Sequence, residues 1–169
     1  VTVAKRILVM GVSGCGKSHV GRLLADRLGI DFVDGDDYHA PASVAKMARG
    51  VPLDDEDRRE WLETIAAHFA DYRRRDAGVV IGCSALKRRY RDTLRRGDPA
   101  LGILFLSGSR DCLLQRLADR EGHFFKGESM LDSQLAALEP PVPDEAVTLD
   151  IAQPPEALVE SYLRHLAAS

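Results

Sequence analysis

The apolar residues of this chain fall into two kinds of pattern, and the two alternate from one end to the other. The first is the short unbroken run: Ile7-Leu8-Val9-Met10, Val79-Val80-Ile81 and Leu101 to Leu106, with weaker, interrupted ones at Ile30-Asp31-Phe32-Val33 and Val147 to Ile151. Runs of this length without polar alternation predict strands of a parallel sheet covered on both faces. The second pattern recurs every three or four residues. Val20, Leu23, Leu24 and Leu28 predict a helix from about Lys17 to Leu28, stopped near Gly29. Trp61, Leu62, Ile65, Phe69 and Tyr72 predict a longer one with Asp54 as its N-cap. Leu113, Leu114 and Leu117 belong to a helix from Asp111 to about Arg120, and Met130, Leu131, Gln134, Leu135 and Leu138 to the next. Pro41 to Arg49 and a basic segment from about Arg88 predict shorter helices, ended by Gly50 and by Gly97-Asp98-Pro99. Pro155 to Ala168 closes the chain as a helix.

This alternation predicts one α/β domain over residues 1–169: a five-stranded parallel sheet between two helical layers, a three-layer α/β/α arrangement. Two segments stand apart. A helical insertion covers 38–75, after the second strand. Near 120–130, Glu121-Gly122-His123-Phe124-Phe125-Lys126-Gly127 is flanked by glycines and short of aliphatics, which reads as a mobile loop or lid.

The first predicted strand runs straight into Gly11-Val12-Ser13-Gly14-Cys15-Gly16-Lys17-Ser18, and the first predicted helix follows at once. Strand, glycine-rich loop and helix are the setting in which this spacing becomes a phosphate site. The glycines let the backbone approach an anion closely, and the loop N–H groups and the helix N-terminus point at it. Lys17 brings a charge to the β- and γ-phosphates and Ser18 a hydroxyl to Mg²⁺. ATP and Mg²⁺ are therefore the expected cofactors.

Asp34-Gly35-Asp36 ends the second predicted strand, and ligands of such sheets bind at the carboxyl ends of strands. A carboxylate there can hold Mg²⁺ through water, or orient or deprotonate an attacking hydroxyl. The third predicted strand ends in Gly82-Cys83-Ser84 without an acid, so the acidic role falls on Asp34 and Asp36; the alternative is a solvated acidic turn. His39 can bond a polyol or carboxylate substrate, or cap the next helix. Lys87, Arg88 and Arg91 can bind an anionic or polyhydroxy substrate, or form a solvated basic face. Arg116 and Arg120, one turn apart before the lid, can neutralise charge on a transferred phosphoryl group, or be a surface pair.

A net charge of −3 disfavours a nucleic-acid partner. No apolar run is long enough to span a membrane, and no leader is apparent, so a cytoplasmic location without a membrane partner is expected. The three cysteines, Cys15, Cys83 and Cys112, lack metal-ligand spacing and read as reduced thiols. Modification of Cys15, inside the phosphate loop, is expected to block nucleotide.

These motifs together resemble the gluconokinases, small P-loop kinases that make 6-phosphogluconate from D-gluconate and ATP. The resemblance covers nearly the whole chain. It rests on Met10 to Ser18, on Asp34-Gly35-Asp36 with His39-Ala40-Pro41, and on Lys46 to Leu53 followed by Asp54, Asp55, Asp57, Arg58 and Trp61-Leu62. It continues through Cys83-Ser84-Ala85-Leu86-Lys87, Tyr90-Arg91-Asp92, Gly122-His123-Phe124-Phe125, and Met130-Leu131 with Gln134 and Leu138-Glu139. The wider group is similar to shikimate kinase and the nucleoside-monophosphate kinases. Phe32-Val33-Asp34-Gly35-Asp36 fits the shikimate-kinase pattern, but Gly82-Cys83-Ser84 stands where those enzymes have three glycines.

The resemblance implies a P-loop NTP hydrolase fold of the nucleoside-monophosphate-kinase type and a set of roles. Lys17, Asp36 and Arg120 are the expected catalytic residues. Gly11 to Ser18, His19, Arg116 and Pro154 are expected around ATP, and Ser18 and Asp34 on Mg²⁺. Asp36, His39, Arg49, Lys87, Arg91 and His123 are the expected contacts of D-gluconate. A homodimer is also expected. The rivals are a kinase for shikimate or another small acid, and a nucleotide-binding switch without catalysis.

Overall fold

The computed structural model describes residues 5–121 and 124–168. In chain order the described residues form β1 (Arg6–Met10), α1 (Lys17–Leu28), β2 (Asp31–Asp34), a 3₁₀ turn (Gly35–Tyr38), α2 (Pro41–Ala48), α3 (Asp55–Arg74) and β3 (Val79–Gly82). They continue with α4 (Arg88–Arg95), β4 (Gly102–Ser107), α5 (Arg110–Glu121), α6 (Phe124–Ala137), β5 (Val147–Asp150) and α7 (Pro155–Ala168). The five strands lie in the order β2-β3-β1-β4-β5, and every neighbouring pair is parallel.

The unbroken apolar strands are explained by what covers them. Successive strand side chains point to opposite faces. Ile7 and Val9 pack with Val20, Leu24, Leu113 and Leu158 on one face of the sheet. Leu8 and Met10 pack with Trp61, Ile65, Phe69 and Leu94 on the other. The expected three layers result.

Local chemistry sets the helix ends. Asp54 accepts the Asp57 N–H at 2.8 Å and Asp57 returns the bond to the Asp54 N–H at 3.1 Å, a capping box that starts α3. Gly29, at φ 68°, ends α1 in the left-handed conformation.

One element departs from its expected form. Residues 124–127 are the start of α6, not part of a loop. Gly127 lowers helix propensity by about 1 kcal/mol against alanine, a penalty that tertiary contacts overcome. Arg110 on α5 pairs with both Glu128 (2.8 Å) and Asp132 (2.7 Å), one turn apart, which clamps the first half of α6 as a helix. Among the described residues, no helix is long and apolar enough to cross a membrane.

Candidate active site

The loops at the carboxyl ends of β1, β2 and β3 converge. After β1 the backbone takes positive φ at Gly14 (85°) and Gly16 (92°), which L side chains rarely adopt, and Gly16 is the N-cap of α1. Lys17 follows, its Nζ folded back to 3.3 Å from the Val12 carbonyl. Although β3 separates β1 from β2 in the sheet, the first turn of α1 reaches across: Ser18 Oγ donates to Asp34 Oδ2 at 3.2 Å. Asp34 Oδ1 accepts the Asp36 N–H at 3.0 Å, which fixes the acidic turn. The two residues expected on Mg²⁺ are thus together, and a hydroxyl plus a carboxylate suit that hard ion, which takes its other ligands from phosphates and water. No group of three or more His, Cys, Asp or Glu able to hold a metal occurs among the described residues.

Gly35 holds the two carboxylates in place. Its carbonyl accepts the Trp61 indole N–H at 2.7 Å, and a Cβ on it would lie 2.6 Å from the Gly82 carbonyl oxygen. His39 stacks on the same indole at 4.0 Å between centroids, and its Nε2 lies 3.7 Å from Asp36 Oδ1. The neighbouring His39 side chain lowers the Asp36 pKa; burial opposes this, and the charge of Lys17 adds to the lowering. Asp36 is therefore a carboxylate at neutral pH, poised to accept a hydrogen bond. His39 Nδ1 is buried without a partner.

A cavity opens on each side of the phosphate loop. One, of about 440 Å³, is lined by Gly14, Gly16, His19, Arg116 and Asp119. Arg116 also donates to the Ile151 carbonyl, tying α5 to the turn that carries Pro154. Pro154 is exposed and its carbonyl accepts the first N–H groups of α7; it lines neither cavity. The second cavity, of about 560 Å³, gathers Lys17, Asp36, His39, Arg58, Trp61 and Gln134, from the loop, the 3₁₀ turn, α3 and α6.

Arg91 is a correction to the expected substrate set. It is only 1 % exposed and its donors are engaged: Glu145 at 2.9 Å and 3.2 Å, and the carbonyls of Ala85 (2.8 Å), Leu86 (3.1 Å) and Glu139 (2.8 Å). Ala85 has φ 45°, an unfavourable value for a residue with a side chain. Arg91 thus pins the strained segment after β3 that sets Ser84 and Leu86 in the cavity wall. Arg49 is exposed at the C-cap of α2, and Lys87 Nζ lies 5.8 Å from the Tyr90 ring centre; neither lines the cavity. Arg120 lies on the last turn of α5, and His123 falls outside the described residues. Cys15, Cys83 and Cys112 are free thiols. Cys15 is fully buried beneath Gly11, so a thiol reagent meets it only when the loop opens.

Sequence reasoning passed over Arg58 and Gln134 as site residues. Arg58 lies 5.8 Å from the Tyr90 ring centre, its Nη1 3.5 Å from the Tyr90 hydroxyl, and it makes no ion pair among the described residues. Helical phase is the signal that finds both. Arg58 precedes Trp61, Leu62 and Ile65 by three, four and seven residues, and so shares their inward face. Gln134 sits likewise among Leu131, Leu135 and Leu138.

Residues 7–141 match the family model described as AAA domain. The chain is 44 % identical to the thermoresistant gluconokinase of Escherichia coli K12 over 159 residues, 92 % of this chain and 90 % of that one. A solved gluconokinase from Sinorhizobium meliloti 1021 superposes with a TM-score of 0.90 at 42 % identity, covering 99 % of this chain and 94 % of the other. The shikimate kinase of Acinetobacter baumannii, solved with shikimate, shares the fold at a TM-score of 0.67 and 20 % identity, covering 98 % and 94 %.

Proposed function

The chain belongs to the gluconokinase family, and on that premise we propose that it transfers the γ-phosphoryl group of ATP to the 6-hydroxyl of D-gluconate, giving 6-phospho-D-gluconate and ADP. The observation that carries the proposal is the meeting of Lys17, Asp36 and Arg58 in one cavity beside the phosphate loop.

In this proposal the phosphates lie in the Gly11–Ser18 loop, against the N–H groups that Ser84, Gln134 and Val12 do not already hold, with the rest of the nucleotide on the side of His19 and Arg116. Ser18 and Asp34 would hold Mg²⁺, which when bound offsets phosphate charge. Lys17 leaves the Val12 carbonyl for a phosphate oxygen. Asp36 accepts the hydrogen bond of the 6-hydroxyl and takes its proton as that oxygen bonds to phosphorus and the bond to the ADP oxygen breaks. A depressed pKa makes Asp36 a weak base, which suffices because a loose phosphoryl-transfer transition state asks mainly for positioning and charge stabilisation. The guanidinium of Arg58, which has no ion-pair partner among the described residues, takes the gluconate carboxylate, for which its planar fork of donors is suited. His39 forms the cavity wall beside Asp36. Arg120 is assigned to the γ-phosphate, and Arg49, Lys87 and His123 to further gluconate contacts, made when the 38–75 insertion and the 120–130 lid close. Mg-ATP and gluconate are taken to meet in the cytoplasm, on a homodimer.

The test is ADP release with Mg-ATP and a panel of acceptors: D-gluconate, shikimate, other sugar acids, nucleoside monophosphates and none. Strong, selective stimulation by gluconate is expected. Stimulation by a different acid would discard the substrate, and flat, slow hydrolysis would discard the kinase assignment.

A further inference from the structure

Gln134 grips both the backbone N–H and the hydroxyl of Ser13, the third residue of the phosphate loop. Its Oε1 accepts the Ser13 backbone N–H at 2.6 Å, and its Nε2 lies 3.0 Å from Ser13 Oγ. Chemistry fixes the orientation of this carboxamide. A backbone N–H can only donate, so the amide oxygen must face it and the NH₂ must face the hydroxyl. An NH₂ cannot accept, so Ser13 Oγ is the acceptor in that bond, and its own hydrogen points away from Gln134. Both side chains line the cavity that holds Lys17 and Asp36, so an oxygen in that cavity is within the hydroxyl's reach.

The grip is held on a rigid element. Leu131, one turn before Gln134, is fully buried in the core cluster that contains Val12, Leu113 and Leu117. Just past α6, the Glu139 N–H donates to the Leu86 carbonyl at 2.8 Å, and Glu139 Oε1 accepts the Arg88 N–H at 2.8 Å. A polar side chain at a core-facing position of an anchored helix is well placed to orient a partner.

Resting on the kinase assignment above, we propose that Gln134 is a positioning residue that turns the Ser13 hydroxyl outward. Ser13 then donates its hydrogen to an oxygen of the phosphoryl group in transfer. Ser13 is the choice over the acceptor's hydroxyl as the point of action because it belongs to the loop that carries the phosphates and stands four residues before Lys17. A hydrogen bond to a charged oxygen that strengthens in the transition state corresponds to roughly 10- to 100-fold in turnover.

A double-mutant cycle tests this, using the full chain, Mg-ATP and gluconate, with thermal melting as a check on folding. Ser13→Ala and Gln134→Leu should each lower kcat by about 10- to 100-fold with little change in KM for ATP, and the double variant should be no slower than Ser13→Ala alone. Gln134→Glu keeps an acceptor for the Ser13 N–H but also accepts the hydroxyl hydrogen, so it should melt like wild type and yet turn over as slowly as Ser13→Ala. Adding Gln134→Glu to Ser13→Ala should then change nothing further; a further drop would mean that charge repulsion, not hydroxyl orientation, slows the variant, and would overturn the proposal. Multiplicative effects of the two leucine-cycle substitutions, or wild-type kcat in Gln134→Glu, would overturn it as well. If Gln134→Leu fails to fold, the glutamate pair decides. Wild-type turnover of gluconate in the same assay keeps the two levels apart: its absence sinks the kinase assignment, its presence beside a failed cycle sinks only the role of Gln134.

Discussion

The phosphate loop and the cavity proposed for the acceptor meet at Ser13 and Lys17 but are built by different means. The loop is eight consecutive residues whose recognition groups are largely backbone N–H, shaped by positive φ at glycines. The cavity is a set of side chains from the loop, the 3₁₀ turn, α3, the segment after β3, and α6, brought together only by folding. Backbone recognition is local and generic, so it serves any nucleotide kinase. Side-chain recognition is distributed and particular, so under the proposed function it is where the acceptor is chosen.

Substitutions should divide along the same line. Lys17→Ala strikes where the regions meet and should have the largest effect, a loss of turnover on the order of 10³-fold with weakened ATP binding and an unchanged melting temperature. Normal turnover would break the assignment of the loop. Asp36→Asn should lower kcat by roughly 10²-fold or more while ATP affinity, read by titration, holds. Because the wild-type carboxyl is held below its usual range, kcat/KM should lose the contribution of Asp36 only as pH falls through that lowered value, not at the ordinary carboxylate pKa. Arg58→Met should raise KM for gluconate by about 10-fold or more and leave KM for ATP unmoved, the cleanest separation of the two regions. Equal changes in both constants would show that the boundary is not where we draw it. Arg91→Met should act on neither ligand directly. It should destabilise the fold by about 3 kcal/mol in urea denaturation, since Glu145 would keep only the less buried Arg95 and three carbonyls would lose their donor, with catalytic loss following only from disorder after β3.

The same contrast explains what could be read from residues alone. β1, the glycine loop and α1 are contiguous, and each piece confirms the next; the capping box of α3 is equally local. Arg91 misled because Lys87, Arg88, Arg89 and Arg91 look like one basic face. Its partner Glu145 lies 54 residues away, and only the fold puts them together. Arg58 hid in the opposite way, among the charges of a helix start, although its phase against Trp61 and Ile65 marks it as inward. Residues 124–127 read as loop because aromatics between glycines resemble one until the ion pairs of Arg110 with α6 are known.

Gly35 carries a consequence for how such a chain can diversify. It offers no side chain to any ligand, yet it lets the turn between Asp34 and Asp36 sit where a Cβ would meet the Gly82 carbonyl oxygen at 2.6 Å. Selection for catalysis therefore reaches a position with nothing to select but emptiness. In a library of random variants, position 35 should be as closed as Lys17, and a new acceptor specificity will arise by changing the inward faces of α3 and α6, leaving the acidic turn untouched.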